Sequence, residues 1–487
     1  MNGKAYLIGA GPLDEELLTL KGKRILEKCT AVVYDRLVST NILNFLNEDC
    51  ELYYCGKKPN AHSMKQEEIN ELLVELVKKG HIVGRIKGGD PYVFGRGGEE
   101  ALALLDENLE FEVIPGVTSP VSVLNYAGIP ITHRGLSQSF HIVTGMSAKS
   151  LNVNFEALAK ENGTLVFMMG LENIDIITDE LMKHGKDKST KSAVVMKGTS
   201  AKQKKVVGTL ENIGRLAREA NLESPCIIVV GEVVSLNESL DWFIKKPLFG
   251  KNICITRSKE QSTNLKNSLK DLGAFVTEIN SIKIEERKEQ LAQYIDILEG
   301  YNHLIFTSVN GVNIFFDYLM DKEYDVRNIR GDFYAIGNAT KRALLKRGIV
   351  AKKTAKTFVA EGLFEEIKEL VSKGDRVLIP TSEKARDYLK ENLEKLGAEV
   401  DRVNIYNTVK GNLYDARCFD DVDYVLYTSP TTVENMIDLI GIEKLKEKKT
   451  IAIGPKTANA LKENEMEYKM CKKHSEEGFL QEIIGLV

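Results

Sequence analysis

Five glycines crowd into the eleven residues from Gly88 to Gly98, inside the stretch RIKGGDPYVFGRGGEE. Backbone stripped of side chains lets a ligand approach closely, so this loop is the first place to look for chemistry. Phosphate is a common guest of such loops, held by backbone N–H groups. The residue types here argue against it, because no G-K-[ST] follows and Asp90 stands where a phosphate would be repelled. A second glycine turn, LIGAGPLDEELLTL, invites a dinucleotide reading with Asp35 as the ribose acid. That fingerprint fails at its third glycine, where Asp14 stands, which speaks against an NAD-dependent dehydrogenase. An acidic, glycine-rich pocket suits a ligand with an ammonium group, a sugar and an adenine. Taken singly, the polar residues have plainer roles. Asp35 reads as a strand-end acid or helix cap. Lys57 and Arg134 read as solvated charges, and Gly97-Gly98 as a helix start whose acids complement the dipole.

The elements that must position these residues alternate along the chain. Short apolar runs, AYLIG (5–9), AVVYD (31–35), FEVIPG (111–116), TLVFMMG (164–170) and CIIVVG (226–231), are separated by amphipathic helical segments. That alternation predicts an α/β fold. In SMKQEEINELLVELVKKG, Ile69, Leu72, Leu73, Leu76 and Val77 share one helical face, Ser63 and Gln66 form a capping-box pair, and Gly80 ends the helix. The chain's 487 residues exceed one core and imply three to four domains. With 66 basic against 70 acidic side chains, a general nucleic-acid binder is disfavoured. Seven cysteines, none in a C-x-x-C, fit a reduced cytoplasmic protein with no metal. No run is long enough for a membrane span, and the start MNGKAYLIGAGP reads as strand and glycine turn, not signal peptide.

Near Gly250 a new unit begins, beyond DWFIKKPLFGKN, and from there the sequence repeats itself. YNHLIFTSVNGVNIFF (301–316) matches VDYVLYTSPTTVENMI (422–437), and YAIGNATKRALLKRGI (334–349) matches IAIGPKTANALKENEM (451–466). Two similar α/β units are expected, binding a ligand through the turns that follow their strands.

Taken in order, GAGPLDEELLTLKGKRILEKCTAVVYDRLVS, CGKKPNAHSMKQEEIN, RIKGGDPYVFGRGGEE and VIPGVTSPVSVLNYAGIPITHRG resemble the tetrapyrrole methylases, and among them uroporphyrinogen-III C-methyltransferase. The resemblance covers residues 3 to 243 and implies S-adenosyl-L-methionine as methyl donor, no metal, and a homodimer formed through this half. It implies a two-domain fold over 1–243 (about 1–116 and 117–243) and a cofactor site of Pro12, Gly88, Gly89, Asp90, Val93, Thr118, Ser119, Met169 and Gly198. Asp35 resembles the family's proton acceptor and Lys57 its proton donor. A polycarboxylate acceptor would be held by Arg36, Lys58, Arg96 and Arg134. Leu13 departs from the family's glycine, Met146 from its histidine and Ser192 from its proline.

After a linker at 244–251, PLFGKNICITRSKEQ, LIFTSVNGV, AIGNATKRAL, VAEGL and AIGPKTANAL together resemble uroporphyrinogen-III synthase, a two-domain α/β fold. The resemblance implies one domain of about 252–285 plus 409–487, with the other, about 286–408, inserted. Tyr406 matches the family's proton-handling tyrosine; Ser308, Thr340, Ser429 and Thr457 match its cleft hydroxyls, though such residues are equally helix caps. Thr381 stands where related sequences carry arginine. The two resemblances imply a bifunctional enzyme that closes hydroxymethylbilane to uroporphyrinogen III and methylates it twice to precorrin-2. The alternative is a methyltransferase for another corrin-type acceptor, with a C-terminal half that binds substrate without catalysis.

Overall fold

The computed structural model describes residues 3–56, 64–146, 153–257, 259–357 and 359–486, and is α/β throughout. Residues Met1–Ile279 and Leu413–Val487 pack as one body, and Asn280–Asn412 form a second. Among the described residues no helix is long and apolar enough to cross a membrane.

The first sheet is wholly parallel, in the order Glu51–Tyr54, Ala31–Tyr34, Ile82–Lys87, Lys4–Gly9, Phe111–Ile114. Its inner strands are largely apolar on both faces, apart from Arg85 and Lys87, because helices cover both, as a parallel sheet requires. All five strands run the same way, so the turns carrying Pro12, Asp35, Gly88–Gly98 and Thr118 emerge at one end. That end is where open α/β sheets bind ligands. The helix Gln66–Lys78 buries Ile69, Leu73, Leu76 and Val77 against this sheet. It starts three residues later than Ser63, which lies outside the described residues. The reciprocal cap is made by Glu68, which accepts from Lys65 N–H at 2.6 Å. The Gln66 amide instead donates to Asn70 at 2.9 Å and Glu100 at 3.3 Å.

The second sheet is mixed: Phe140–Thr144, Thr164–Met168, Cys226–Val230, Lys191–Met196, Lys204–Thr209, with only its first pair parallel. The third sheet, parallel, orders Phe275–Glu278, Asn252–Ile255, Tyr424–Tyr427, Lys449–Ala452, Tyr468–Met470. Its central pair joins Ile253 to Tyr424, so the chain leaves this sheet and returns to it. The second body holds a six-stranded sheet whose edge strand Ile282–Glu286 runs antiparallel to the twelve-residue strand Glu399–Lys410. The sequence repeat is visible in both sheets. His303–Phe306 leads into helix Val309–Asp321, capped by Ser308; Tyr424–Tyr427 leads into Pro430–Ile440, capped by Ser429.

The third sheet is seated on the first within one body. Asn41 donates to Val276 O at 2.6 Å and accepts from Glu278 N–H at 3.2 Å. Tyr34 donates to Asp415 at 3.2 Å, and the Arg417 guanidinium lies 3.8 Å over the Tyr54 ring.

Candidate active site

At the carboxyl ends of the first sheet lies a cavity of about 590 Å3, walled by both N-terminal sheets. Its shape begins with backbone. Gly11 and Gly89 exchange N–H···O bonds of 3.1 and 2.8 Å, pinning the first glycine turn to the second. Both have positive φ, at 69° and 72°, which glycine adopts without strain. Gly116 lies against this crossing so closely that a Cβ there would sit 2.2 Å from Gly89 O. Asp90 locks the arrangement, accepting from Tyr92 N–H at 2.8 Å and Gly116 N–H at 3.0 Å. Four residues with side chains, Phe94, Arg96, Met169 and Lys197, line the cavity with φ between 46° and 57°. Left-handed backbone at such positions is uncommon and gathers at functional sites.

Of the expected donor-site residues, Pro12, Gly88, Gly89, Val93, Ser119, Met169 and Gly198 all line the cavity. Asp90 and Thr118 do not: Asp90 spends its carboxylate on the loop itself, and Thr118 stands at the N-cap position of helix Ser119–Tyr126 without a side-chain cap bond. Asp35, Arg36 and Arg96 line it as well. Arg96 is gripped by Glu99 through bonds of 2.8 and 2.6 Å, so an anionic ligand must compete with that carboxylate. Arg134 is exposed on the turn closed by His133 and Ser137 and is not among the lining residues. Lys57 and Lys58 lie outside the described residues. Leu13 and Met146, two of the family departures, also line the cavity, whereas Ser192 is buried in the second sheet.

The electrostatics rest on residues that local reading passed over. Arg85 and Lys87 stand two apart on one strand, both buried and both bordering the cavity. Glu100, fully buried, accepts from Arg85 Nε at 3.0 Å and Lys87 Nζ at 2.7 Å. Arg85 also reaches Asp35 at 3.3 Å, whose other oxygen accepts from Leu37 N–H at 2.9 Å. One carboxylate serving two cations divides them. Burial and the neighbouring Arg85 push Lys87 below the ordinary lysine range, while Arg85 is held charged against its burial by Glu100 and Asp35. The signal in the sequence was Arg-x-Lys on an otherwise apolar strand, which demands a buried counter-ion.

The second-half residues are placed as follows. In the second body, Tyr406 is 6% exposed and its hydroxyl lies 2.8 Å from Ser308, whose oxygen also accepts from Gly311 N–H at 2.9 Å. Burial raises the Tyr406 pKa, opposed by that bond. Thr381 pairs with Thr307 at 2.9 Å, and Thr340 is buried in the first turn of Asn338–Lys346. In the first body, Ser429 accepts from Thr432 N–H at 3.3 Å as a helix cap, and Thr457 is buried in Pro455–Glu463.

Comparison with known proteins finds two families along the chain. A family model described as tetrapyrrole (corrin/porphyrin) methylases matches residues 4–214, and one described as uroporphyrinogen-III synthase HemD matches residues 263–481. The porphyrin biosynthesis protein HemD of Ruminiclostridium josui is 37% identical over 495 residues, covering 100% of this chain and 98% of its own. The uroporphyrinogen-III C-methyltransferase of Priestia megaterium is 47% identical over 237 residues, covering 48% of this chain and 100% of its own. An S-adenosyl-L-methionine-dependent uroporphyrinogen III methyltransferase of Methanosarcina barkeri is 47% identical over 241 residues, 49% of this chain and 94% of its own.

Proposed function

Because the chain belongs to the tetrapyrrole methylases through its N-terminal half and to the uroporphyrinogen-III synthases through its C-terminal half, we propose that it catalyses two consecutive steps. It closes hydroxymethylbilane to uroporphyrinogen III, then methylates that product twice, with S-adenosyl-L-methionine, to precorrin-2. The observation that carries the methylation reading is the single cavity that gathers Pro12, Gly88, Gly89, Val93, Ser119, Met169 and Gly198 beside Asp35. The residues fit such a donor. The volume lies within the roughly 300–1,000 Å3 of small-molecule sites, and bare glycine walls leave room that side chains would fill. A Cβ on Gly198 would meet Val123 at 2.4 Å.

When bound, S-adenosylmethionine supplies an electrophilic methyl group on a sulfonium. The pyrrole carbon of a reduced tetrapyrrole is electron-rich, so the protein's work is alignment and proton handling. Asp35, tied by Leu37 N–H and Arg85, is the proton acceptor in this reading, and Lys57 the donor. Arg36 and Arg96, on the cavity wall, hold carboxylates of the acceptor, and the same role is assigned to Lys58 and Arg134. In the synthase half, Tyr406, hydrogen-bonded to Ser308, handles the proton during ring closure, and Ser308, Thr340, Ser429 and Thr457 contact substrate. Cyclisation needs little further acid–base apparatus, because its selectivity comes from how the bilane is held. We also assign a homodimer through the N-terminal half, which light scattering of the purified protein tests.

The decisive assay supplies fresh hydroxymethylbilane with and without S-adenosylmethionine. Type III uroporphyrinogen without the donor, passing to a dimethylated product with it, supports both steps. Type I product alone would reduce the C-terminal half to a binding module. Uroporphyrinogen III that stays unmethylated would overturn the acceptor assignment.

A further inference from the structure

The loop that brings Pro12 and Leu13 into the cavity is held at its far end by the other half of the chain. Asp14 and Glu15 follow Leu13 directly, and helix Lys259–Asp271 of the C-terminal half meets them with two lysines. Lys270 Nζ lies 2.9 Å from Asp14 and 2.9 Å from Glu15; Lys266 Nζ lies 3.0 Å from Glu15 and 2.5 Å from Glu278. The Glu15 and Lys270 side chains are 1% and 9% exposed. From the N-terminal half, Tyr126 donates to Asp14 at 2.9 Å and Asn41 to Glu15 at 3.3 Å.

A surface ion pair contributes little, but a carboxylate buried as deeply as Glu15 is intolerable without its cations. Among the described residues, the N-terminal half supplies Glu15 the Asn41 amide and a backbone N–H but no cation. The cations come from the other half, so this is a built interface and not a chance touch of two surfaces. Its position gives it a consequence. Gly11 is fixed on one side by its bridge to Gly89, and Asp14–Glu15 on the other by the lysines. Only Pro12 and Leu13 lie between, and both line the cavity.

We propose that Lys266 and Lys270 are positioning residues for the N-terminal cavity, fixing from the synthase half the Gly11–Glu15 loop against which the methyl donor binds. This rests on the reading that S-adenosylmethionine occupies that cavity. With the lysines in place the loop is ordered before the donor arrives; without them the donor must order it, at a loss of affinity. The fused half thereby completes the methyltransferase site, and the two activities share a structural part although neither lysine touches a reacting atom.

The test uses the full chain, titrated calorimetrically with S-adenosylhomocysteine, as wild type, Lys270→Met, Lys270→Arg and Lys266→Met. Lys270→Met should weaken binding by about tenfold, raise KM for S-adenosylmethionine in proportion and leave kcat and cyclisation near wild type. Lys270→Arg, which keeps the charge, should restore most of the affinity, and Lys266→Met should show a smaller loss. Wild-type affinity in a folded Lys270→Met protein overturns the proposal, as does an arginine variant that binds no better than the methionine one. If Lys270→Met does not fold, Lys266→Met decides, unchanged affinity again counting against it. Wild-type protein that fails to bind S-adenosylhomocysteine at all overturns the donor-site reading first, and this inference with it.

Discussion

Asp35 lines the cavity and Glu100 is buried against the Arg85 and Lys87 that border it, and the surroundings of these two carboxylates fit them for different work. Asp35 is partly exposed and half-tied, with one bond from backbone and one from Arg85. Asp35→Asn should cut methyl transfer by roughly 10²–10⁴-fold, the usual worth of a general base. Binding of S-adenosylhomocysteine and ring closure should stay near wild type, and retained methylation in a folded variant would remove Asp35 from the mechanism. Glu100 has no such freedom. It is the shared counter-ion of Arg85 and Lys87, and Glu100→Gln strands Lys87 and leaves Arg85, among carboxylates, only its longer contact with Asp35. A loss of about 3–5 kcal/mol is expected from breaking a buried pair this way, read as a lower denaturant midpoint. Adding Lys87→Met to Glu100→Gln removes one stranded charge and should recover part of it; if stability falls further, the electrostatic account is wrong.

Among the elements, those set by local pattern were legible in the sequence and those set by distant charge were not. The strands Lys4–Gly9, Ala31–Tyr34, Phe111–Ile114, Thr164–Met168 and Cys226–Val230 fall where the apolar runs predict. Burial on both faces of a sheet leaves little choice of residue there. The glycine turns were legible because close backbone crossings exclude every other side chain. The start of helix Gln66–Lys78 was misplaced because Glu68, not Gln66, closes the cap. The bond from Gly116 N–H to Asp90, a partner 26 residues away, was not legible from the loop's own sequence. Nothing near Glu15 announces Lys270, since the two meet only through the fold. This seam has its own pH signature. Burial would raise the Glu15 pKa, yet Lys270 and then Lys266 outweigh it and hold the group below its usual 4.5. A carboxylate with a depressed folded pKa adds stability that is complete above its unfolded pKa and lost as pH falls through the folded one. Acid titration of wild type should therefore show a fall in melting temperature below about pH 4.5 that is shallower in Glu15→Gln. Parallel acid limbs would mean Glu15 carries no such coupling.

On the scale of the whole molecule, Asp35 and Tyr406 belong to different bodies, the second spanning Asn280–Asn412. Removing either group should silence one activity alone. Tyr406→Phe should slow closure of hydroxymethylbilane while uroporphyrinogen III supplied directly is methylated at the wild-type rate. Loss of both rates in a folded Tyr406→Phe protein would contradict this independence, and unchanged formation of uroporphyrinogen III would remove Tyr406 from the cyclisation.

The third sheet has a further consequence, for synthesis on the ribosome. Its strand Asn252–Ile255 pairs on one side with Phe275–Glu278, but its other neighbour, Tyr424–Tyr427, is made much later. At about 5–20 residues per second, the wait for those roughly 170 residues is on the order of 10–30 s. Throughout it, a nascent chain presents the unpaired edge of an apolar strand, with Cys254 and Ile255 not yet covered by their later partners. The N-terminal sheets can close long before. Truncated translation products that stop within the second body should therefore aggregate through this edge, whereas the finished chain has already covered it.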